Sequence, residues 1–367
     1  MTQDAFPILA IDHLEFYVGD ALQSAHFFRT AFGFTETAYA GLETGSRDTV
    51  SRVLEQGEIR LVLTGALGPD SDVARHVLAH GSGVRDVALR VPDAEEAWRV
   101  ATARGARSVA EPTVSEDEHG KVVRAAIAAY GDTIHSLIQR DDYSGPFLPG
   151  FRAQPQHAAP DRSVGLVQMD HVVANVELGQ MNELAEFYAR VMGFANLVHF
   201  RDDQISTEYT ALMSKVMWDG VGRVKLPINE PAPGKRRSQI EEYLDFYRGP
   251  GVQHMALRTD DILRTVTELR ARGVQFLRVP ATYYEEMRER FADLRDEVDV
   301  DALAELAILA DRDDEGYLLQ IFTKPIGDRP TIFFEIIERH GARGFGEGNF
   351  KALFEAIERE QEERGTL

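Results

Sequence analysis

The sequence predicts an α+β fold built from four β-α-β-β-β modules, arranged as two pairs in two domains. Three observations support this prediction. The chain repeats itself, and within each repeat the apolar pattern changes from the two-residue period of a strand to the period of an amphipathic helix. Further strand-like runs follow each helix and complete the module.

The internal repeat is visible without comparison to any other protein. Residues 8–34 resemble residues 166–194, and residues 83–106 resemble residues 251–274. Each copy reads as a strand followed by a helix that ends at a glycine, where a left-handed backbone is expected. These glycines are Gly33, Gly105, Gly193 and Gly273. Each pair of modules therefore predicts one domain.

The domain boundary is predicted at about residue 155, giving domains 1–155 and 156–367. The segment 145–165 is rich in proline and glycine and has no clear periodicity. On either side of it, residues 52–65 and 223–231 have the pattern of short antiparallel strands. A length of 367 residues is suited to two such domains.

Composition limits the possible functions. The 60 acidic residues exceed the 40 lysines and arginines, giving a net charge of −20 that repels nucleic acids and anionic membranes. Small molecules or proteins are therefore the expected partners. There is no cysteine, so His, Asp or Glu must hold any metal. No targeting segment and no run of about 18 apolar residues is present, and we expect a cytoplasmic protein.

His254 lies in an apolar stretch, residues 249–259, that otherwise predicts a buried strand. A buried histidine with a hydrogen-bonded ring is the ordinary interpretation, and a metal or catalytic role is the alternative. The repeat helps to decide between them. His171 has a counterpart in His13, but His254 aligns with Asp86, so the fold itself does not require histidine there.

Glu335 lies among Phe333, Phe334, Ile336 and Ile337 in a strand that must be largely buried. Its counterpart in the first half is Ser136. An ionised carboxylate buried without a partner costs several kcal/mol, so Glu335 must be protonated, paired or bound to a cation. A salt bridge to Arg329 or Arg339 is one possibility.

A metal is the other possibility for Glu335. Two histidines and one carboxylate on separate strands form the ligand set of a 2-His-1-carboxylate facial triad, which His171, His254 and Glu335 supply. Zinc hydrolases share this ligand set, although their H-E-x-x-H spacing is absent. In the first half, a weaker site from His13, Asp86 and His135 is an alternative.

Four segments resemble the vicinal oxygen chelate superfamily, and specifically the 4-hydroxyphenylpyruvate dioxygenase family. They are residues 225–244, 251–257, 316–339 and 344–365, and the resemblance extends over the whole chain. It implies an open barrel-like sheet in each domain and an Fe(II) enzyme that converts 4-hydroxyphenylpyruvate and O2 to homogentisate and CO2 in tyrosine catabolism. His171, His254 and Glu335 would be the iron ligands. The substrate's own 2-oxo acid would chelate the metal, so no separate 2-oxoglutarate is required.

The resemblance also implies a set of residues that bind the substrate. Its polar members and the proline of its wall are Thr210, Pro227, Asn229, Gln239, Gln253 and Gln320. Its aromatic members are Phe322, Phe333, Phe350 and Phe354. Strand parity supports Pro227 with Asn229 and Gln320 with Phe322, but it puts Gln253 on the opposite face from His254. A solvent-facing position is the alternative for each amide, and core packing is the alternative for each phenylalanine.

The C-terminal helix is predicted to begin at Asn349 as an N-cap and to close over the pocket as a lid. The preceding residues 341–348 contain four glycines, of which Gly344, Gly346 and Gly348 are assigned to the hinge. The N-terminal domain, which lacks a complete metal site, is expected to supply the contacts of a homo-oligomer, a dimer or a tetramer.

Two other functions remain open. The 4-hydroxymandelate synthases use the same substrate and metal, but Pro227, Asn229 and Phe354 favour the dioxygenase. A metal-free binding protein of the same fold would need neither Glu335 nor two histidines in strands.

Overall fold

The computed structural model describes residues 6–154, 162–200 and 211–366. It contains two curled, mixed β-sheets, one from each half of the chain. No helix among these residues is long and apolar enough to cross a membrane.

The first sheet has nine strands in the order β6-β7-β8-β5-β1-β4-β3-β2-β9. The strands are β1 Ala10–Val18, β2 Thr35–Ala40, β3 Thr49–Gln56, β4 Ile59–Ala66, β5 Gly83–Arg90, β6 Ser108–Asp117, β7 Gly120–Tyr130, β8 Thr133–Gln139 and β9 Arg152–Ala153. The helices of this half are α1 Ala21–Ala31, α2 Asp72–His80 and α3 Ala94–Ala103.

The second sheet has eight strands in the order β11-β12-β13-β10-β14-β17-β16-β15. The strands are β10 Leu166–Asn175, β11 Ala195–Phe200, β12 Ala211–Trp218, β13 Lys225–Ala232, β14 Gly251–Thr259, β15 Leu309–Asp313, β16 Gly316–Phe322 and β17 Phe333–His340. The helices of this half are α4 Met181–Phe187, α5 Gln239–Tyr247, α6 Ile262–Ala271, α7 Ala281–Arg290, α8 Val300–Glu305 and α9 Phe350–Arg364.

This order confirms the four predicted modules. They are β1-α1-β2-β3-β4, β5-α3-β6-β7-β8, β10-α4-β11-β12-β13 and β14-α6-β15-β16-β17. In each sheet the first strands of the two modules pair antiparallel, β1 with β5 and β10 with β14. The proposed domain boundary at about residue 155 falls between the last strand of the first sheet and the first strand of the second.

Strand register supports the internal alignment of the two halves. In the parallel pair β14 and β17, His254 lies opposite Phe333. In the equivalent pair β5 and β8, Asp86 lies opposite Ile134. Glu335 lies two residues after Phe333 in β17, and Ser136 lies two residues after Ile134 in β8. These two positions are therefore structurally equivalent.

β-Bulges interrupt both central strand pairs. Between β10 and β14 the register shifts at Asp170, since Met169 pairs with Leu257 and His171 with Ala256, and it shifts again at Gln253. The first sheet has a matching shift at Asp12. A β-bulge changes the direction of side chains that would otherwise alternate between the two faces of the sheet. Asp12, Asp170 and Gln253 can therefore each contact the histidine that follows in sequence.

The cores of the two halves join across aromatic contacts. Phe334 of β17 lies 5.7 Å from Phe28 and 5.1 Å from Phe32, ring centre to ring centre, and all three side chains are buried. The metal ligands proposed from the sequence lie in the second sheet, on strands supported by this core.

Candidate metal centre

His171, His254 and Glu335 come together on β10, β14 and β17. Glu335 Oε2 lies 3.2 Å from His171 Nε2 and 3.6 Å from His254 Nε2. Their ligand atoms all fall within 4.8 Å of one another. The three strands are neighbours in the sheet, so residues separated by more than eighty positions in sequence share one face.

Both histidines are oriented by the residue that precedes them. His171 Nδ1 lies 2.7 Å from Asp170 Oδ1, and His254 Nδ1 lies 2.9 Å from Gln253 Oε1. Because both partners are oxygen acceptors, each ring donates from Nδ1 and turns Nε2 towards Glu335. Histidine ligands of metals are typically held in this way.

A buried ion-pair network supports Asp170. Arg339 donates to both of its oxygens, from Nε at 2.7 Å and from Nη2 at 2.9 Å, and Lys225 Nζ lies 3.5 Å away. Arg339 also donates to the carbonyl oxygens of Ala342 and Gly344. One guanidinium therefore links the orientation of a candidate ligand to the loop that leads into α9.

Among the described residues, Glu335 forms no salt bridge with Arg329 or Arg339, which was one of the possibilities left open by the sequence. Arg339 pairs with Asp170, and Arg329 donates to the backbone oxygens of Ala79 and Phe246. Glu335 instead faces two imidazoles, as a metal ligand would.

Electrostatics keep Glu335 ionised. Burial alone would raise its pKa, but the charge of His171 and the hydrogen bonds from His171 and His254 lower the pKa to about 2. Burial also opposes ionisation of Asp170, yet its bonds to His171 and Arg339 hold the pKa of that carboxyl well below its usual range. The pKa of His254 is lowered mainly by burial, which favours the neutral ring that binds a metal.

These residues fit a divalent transition metal. Bonds of about 2.0–2.2 Å at right angles place neighbouring ligand atoms about 3 Å apart, close to the distances from Glu335 to the two histidines. Two imidazoles and one carboxylate on a single face leave the other positions of an octahedron open.

A cavity of about 600 Å³ opens from the centre. Eight of the residues proposed from the resemblance line it, namely Pro227, Asn229, Gln239, Gln253, Phe322, Phe333, Phe350 and Phe354. Beyond the three candidate ligands, most of the lining is apolar, and Ser214 and three amides are its other polar groups.

The C-terminal helix forms one wall of this cavity. The residues of α9 that line it stand at the i, i+3, i+4 and i+7 spacing of one helix face, and they are Phe350, Leu353, Phe354 and Ile357. His254 stacks on Phe333 with ring centres 4.8 Å apart, so an aromatic wall reaches the metal ligands.

Gln253 and His254 both line the cavity, so the prediction from strand parity that they lie on opposite faces is wrong. The reason is the bulge at this residue, which sequence parity does not include. Thr210 lies outside the described residues.

Two other residues differ from expectation. Gln320 is buried but is absent from the cavity lining; its amide lies against Gly346, where a Cβ would overlap it. Asn349 makes no side-chain N-cap, because its oxygen accepts a hydrogen bond from the Tyr283 hydroxyl at 2.5 Å.

The three glycines assigned to the hinge lie in a loop that is tied to β15. Asp313 accepts hydrogen bonds from the backbone amides of Arg343 and Gly344, and Asp311 accepts one from Gly348. Gly346 has a φ of +79°, a left-handed conformation that favours glycine.

The first half does not assemble the weak site considered from its sequence. His135 Nδ1 lies 2.8 Å from the Val87 oxygen and its Nε2 lies 2.9 Å from the Tyr188 hydroxyl. Asp86 is bonded by Ser136, whose amide donates to it at 2.8 Å. Both ring nitrogens of His135 therefore have other partners, and His13, Asp86 and His135 are not among the groups of described residues whose ligand atoms lie together, so that interpretation was wrong.

Sequence reasoning missed Asp170 and Lys225, and also Phe345, which lines the cavity with its ring 5.1 Å from that of His171. It considered Arg339, but with Glu335 as the partner. The repeat did contain a signal for the pair, since Asp12 and Arg140 occupy the positions of Asp170 and Arg339. The structure shows the same contacts there: Asp12 lies 2.7 Å from His13 Nδ1 and 2.8 Å from Arg140 Nη2.

Comparison with known proteins agrees with this architecture. The model of the glyoxalase/bleomycin resistance protein/dioxygenase superfamily matches residues 10–133 and 168–321. The 4-hydroxyphenylpyruvate dioxygenase of Yarrowia lipolytica is 48% identical over 97% of this chain and 93% of its own length. That of Dictyostelium discoideum is also 48% identical, over 97% of this chain and 99% of its own length.

Two solved structures place these identities in context. A triple mutant of 4-hydroxymandelate synthase from Streptomyces coelicolor superposes with a TM-score of 0.87 at 36% identity, covering 97% of this chain and 100% of its own. A Mn(II)-bound glyoxalase from Novosphingobium aromaticivorans shares only the fold, with a TM-score of 0.53 at 13% identity over 90% of this chain and 82% of its own. The chain is thus a member of the glyoxalase/bleomycin resistance protein/dioxygenase superfamily and, within it, belongs to the 4-hydroxyphenylpyruvate dioxygenases.

Proposed function

We propose that the chain converts 4-hydroxyphenylpyruvate and O2 to homogentisate and CO2, with Fe(II) held by His171, His254 and Glu335. The observation that carries this proposal is the position of the two histidines and the carboxylate at one end of a largely apolar cavity. A bound ferrous ion would supply electrons and open positions for a 2-oxo acid and dioxygen.

The overall reaction balances without another co-substrate. Loss of CO2 leaves the former keto carbon as a new carboxyl group, which takes one oxygen atom from O2. The second oxygen atom becomes the new ring hydroxyl as the side chain moves to the neighbouring carbon. The substrate therefore supplies the electrons that a separate 2-oxoglutarate would otherwise provide.

The protein's own residues position the substrate and exclude water. Phe322 and Phe333 stand beside His254, and Phe350 and Phe354 form the opposing wall from α9, so an aromatic ring between them is desolvated. Because the ring must be held close to the metal for hydroxylation, this packing acts mainly through orientation.

The amides give the cavity its polarity. We propose that Asn229 and Gln239 bind the polar groups of the substrate, since both line the cavity and Asn229 is only 8% exposed. Gln253 serves a second purpose, because its oxygen already orients His254. Thr210 and Gln320 remain assigned from the resemblance alone.

A dioxygenase is favoured over 4-hydroxymandelate synthase by the relatives and by the cavity. The relatives that are 48% identical bear the dioxygenase name, whereas the solved synthase variant is 36% identical. Pro227, Asn229 and Phe354, which distinguish the two families by resemblance, all line the cavity.

Product analysis tests the function directly. Incubation of the iron-loaded chain with 4-hydroxyphenylpyruvate under air should give homogentisate, identified by mass and retention time. Predominant 4-hydroxymandelate would establish the synthase, and no turnover would favour a binding protein.

The metal assignment has a matched control within the chain. His171→Ala should abolish iron binding and turnover together, whereas His13→Ala removes the equivalent histidine of the first half and should retain both. Full iron occupancy in His171→Ala or in His254→Ala would contradict the ligand set.

Assembly and location remain predictions from the sequence. We propose a homo-oligomer, a dimer or a tetramer, formed through domain 1–155, with domain 156–367 carrying catalysis in the cytoplasm. Sedimentation equilibrium of the full chain measures the first property, and a single monomeric species would contradict it.

A further inference from the structure

A second cluster of metal-ligating residues lies in the first half of the chain. His76 and His80 are one helical turn apart on α2, and Asp132 lies in the turn between β7 and β8. Their candidate ligand atoms lie within 4.8 Å of one another. The facial triad uses none of these residues.

We propose that His76, His80 and Asp132 bind a divalent transition-metal ion of the zinc type. Histidines four residues apart on a helix present their rings on the same face, and a carboxylate from another element completes a three-residue ligand set with one position left for water. No thiolate is available, and two imidazoles suit zinc, cobalt or nickel better than calcium or magnesium.

His80 is already held in the orientation that a metal requires. Its Nδ1 lies 2.5 Å from the backbone oxygen of Tyr247, and its ring stacks on that of Tyr247 with centres 4.6 Å apart. Nε2 points to Asp132 Oδ2 at 2.9 Å. An ion between Nε2 and the carboxylate would replace the hydrogen bond that now joins them.

His76 is the independent observation that points to a ligand. It is 5% exposed, and neither ring nitrogen has a hydrogen-bond partner among the residues that the structure describes. Burying unpartnered polar atoms is unfavourable, and a metal bond would satisfy one of them. Burial lowers the pKa of His76 to about 4, which leaves the ring neutral at pH 7 and able to bind a metal.

The surroundings predict a site of moderate affinity that is reached from solvent. The Asp132 side chain is 60% exposed, so an ion can enter without unfolding the domain. Arg85 lies close enough to lower the pKa values of both Asp132 and His76, and its positive charge opposes a cation. The net attraction therefore depends on the two imidazoles as well as on the carboxylate.

The site also joins the two halves of the protein. Tyr247, which accepts the hydrogen bond from His80, is the last residue of α5 in the second half. Arg329 of the second half donates to the backbone oxygen of Ala79 at 2.7 Å. An ion that fixes His80 would stabilise this contact, so binding should raise the unfolding temperature.

The experiment removes the facial triad first, because that site also binds divalent metals. In the double variant His171→Ala/His254→Ala, titration with zinc by calorimetry should still show about one ion per chain, with an increase in the unfolding temperature. Adding Asp132→Asn, an exposed and nearly isosteric change, should weaken zinc binding about tenfold or more and abolish the thermal shift. Adding His76→Gln should do the same.

A matched control is His26→Gln, which changes an exposed histidine on α1 and should leave zinc binding unaltered. Circular dichroism verifies that each variant is folded. The proposal is overturned if the double variant binds no zinc, or if Asp132→Asn and His76→Gln bind it as tightly as their parent. Because the facial triad is absent throughout, failure here is distinct from failure of the proposed function.

Discussion

Replacing Arg339 by glutamine should weaken metal binding even though Arg339 is not a ligand. Its guanidinium forms two bonds with Asp170, at 2.7 and 2.9 Å, and Asp170 in turn orients His171. The two side chains are 11% and 2% exposed, so the pair is buried. Without the arginine, the charged or hydrogen-bonding neighbours that Asp170 keeps within the described part of the chain are Lys225 and His171.

The magnitude follows from this geometry. Removing one member of a buried ion pair costs about 3–5 kcal/mol of stability, and Lys225 at 3.5 Å moves the expected loss towards about 3. Loss of a residue that orients a metal-binding histidine weakens metal affinity about 10- to 100-fold. A chain stabilised by about 5–15 kcal/mol remains folded after this change, so both effects are measurable.

The first half supplies the control. Arg140 bonds to Asp12 at 2.8 Å and to the Phe147 oxygen at 3.0 Å, in the same arrangement but without a complete ligand set. Arg140→Gln should therefore reduce the free energy of unfolding without changing iron affinity. Urea denaturation measures the first quantity, and competition with a chelator measures the second. Wild-type iron affinity in Arg339→Gln, or an equal loss in both variants, would refute the positioning role of Arg339.

Three further outcomes are expected. Gly346→Ala should reduce the free energy of unfolding by about 1–2 kcal/mol and raise KM without loss of metal, since φ is +79° and a Cβ would meet the Gln320 amide. Gly327→Ala is the control, because the space around Gly327 is open. Equal kinetics in the two variants would contradict the role of this loop. Truncation before residue 344 should leave metal binding nearly intact but uncouple decarboxylation from ring hydroxylation, measured as CO2 released per homogentisate formed; an unchanged ratio would show that α9 only packs. Asp12→Asn should destabilise the protein most at neutral pH. Burial opposes ionisation of Asp12, but His13 and arginine neighbours lower its pKa, so its contribution is present above the unfolded pKa of about 4 and is lost as the pH falls through the lower folded pKa. A difference in unfolding free energy that does not shrink as the pH is lowered below about 4 would contradict this assignment.

The module order could be predicted because it depends on local patterns. Consecutive residues show the change from the apolar period of a strand to that of a helix, and then the glycine that ends the helix, as at Gly33 and Gly193. The candidate ligands could be predicted because burying Glu335 demands a partner and because the repeat lacks it in the first half. Neither argument needs the three-dimensional register.

The environment of the ligands could not be predicted because it depends on pairing between strands. A bulge at Asp170 or Gln253 is a mismatch between two strands, and neither strand alone contains it. Parity therefore gave the wrong face for Gln253. The prediction of an N-cap at Asn349 was wrong for a similar reason. The hydroxyl that donates a hydrogen bond to its side chain belongs to Tyr283, sixty-six residues away.

The carboxylate-guanidinium pair occurs in both halves of the chain, with and without a complete set of candidate ligands beside it. Asp12 with Arg140 repeats Asp170 with Arg339, although the first half has Asp86 and Ser136 where the second has His254 and Glu335. The first half thus has His13 and the same supporting pair without the other two coordinating side chains, so the pair there contributes to folding rather than to a metal centre. A protein engineer could seek a second iron centre in the first half by changing only those two positions.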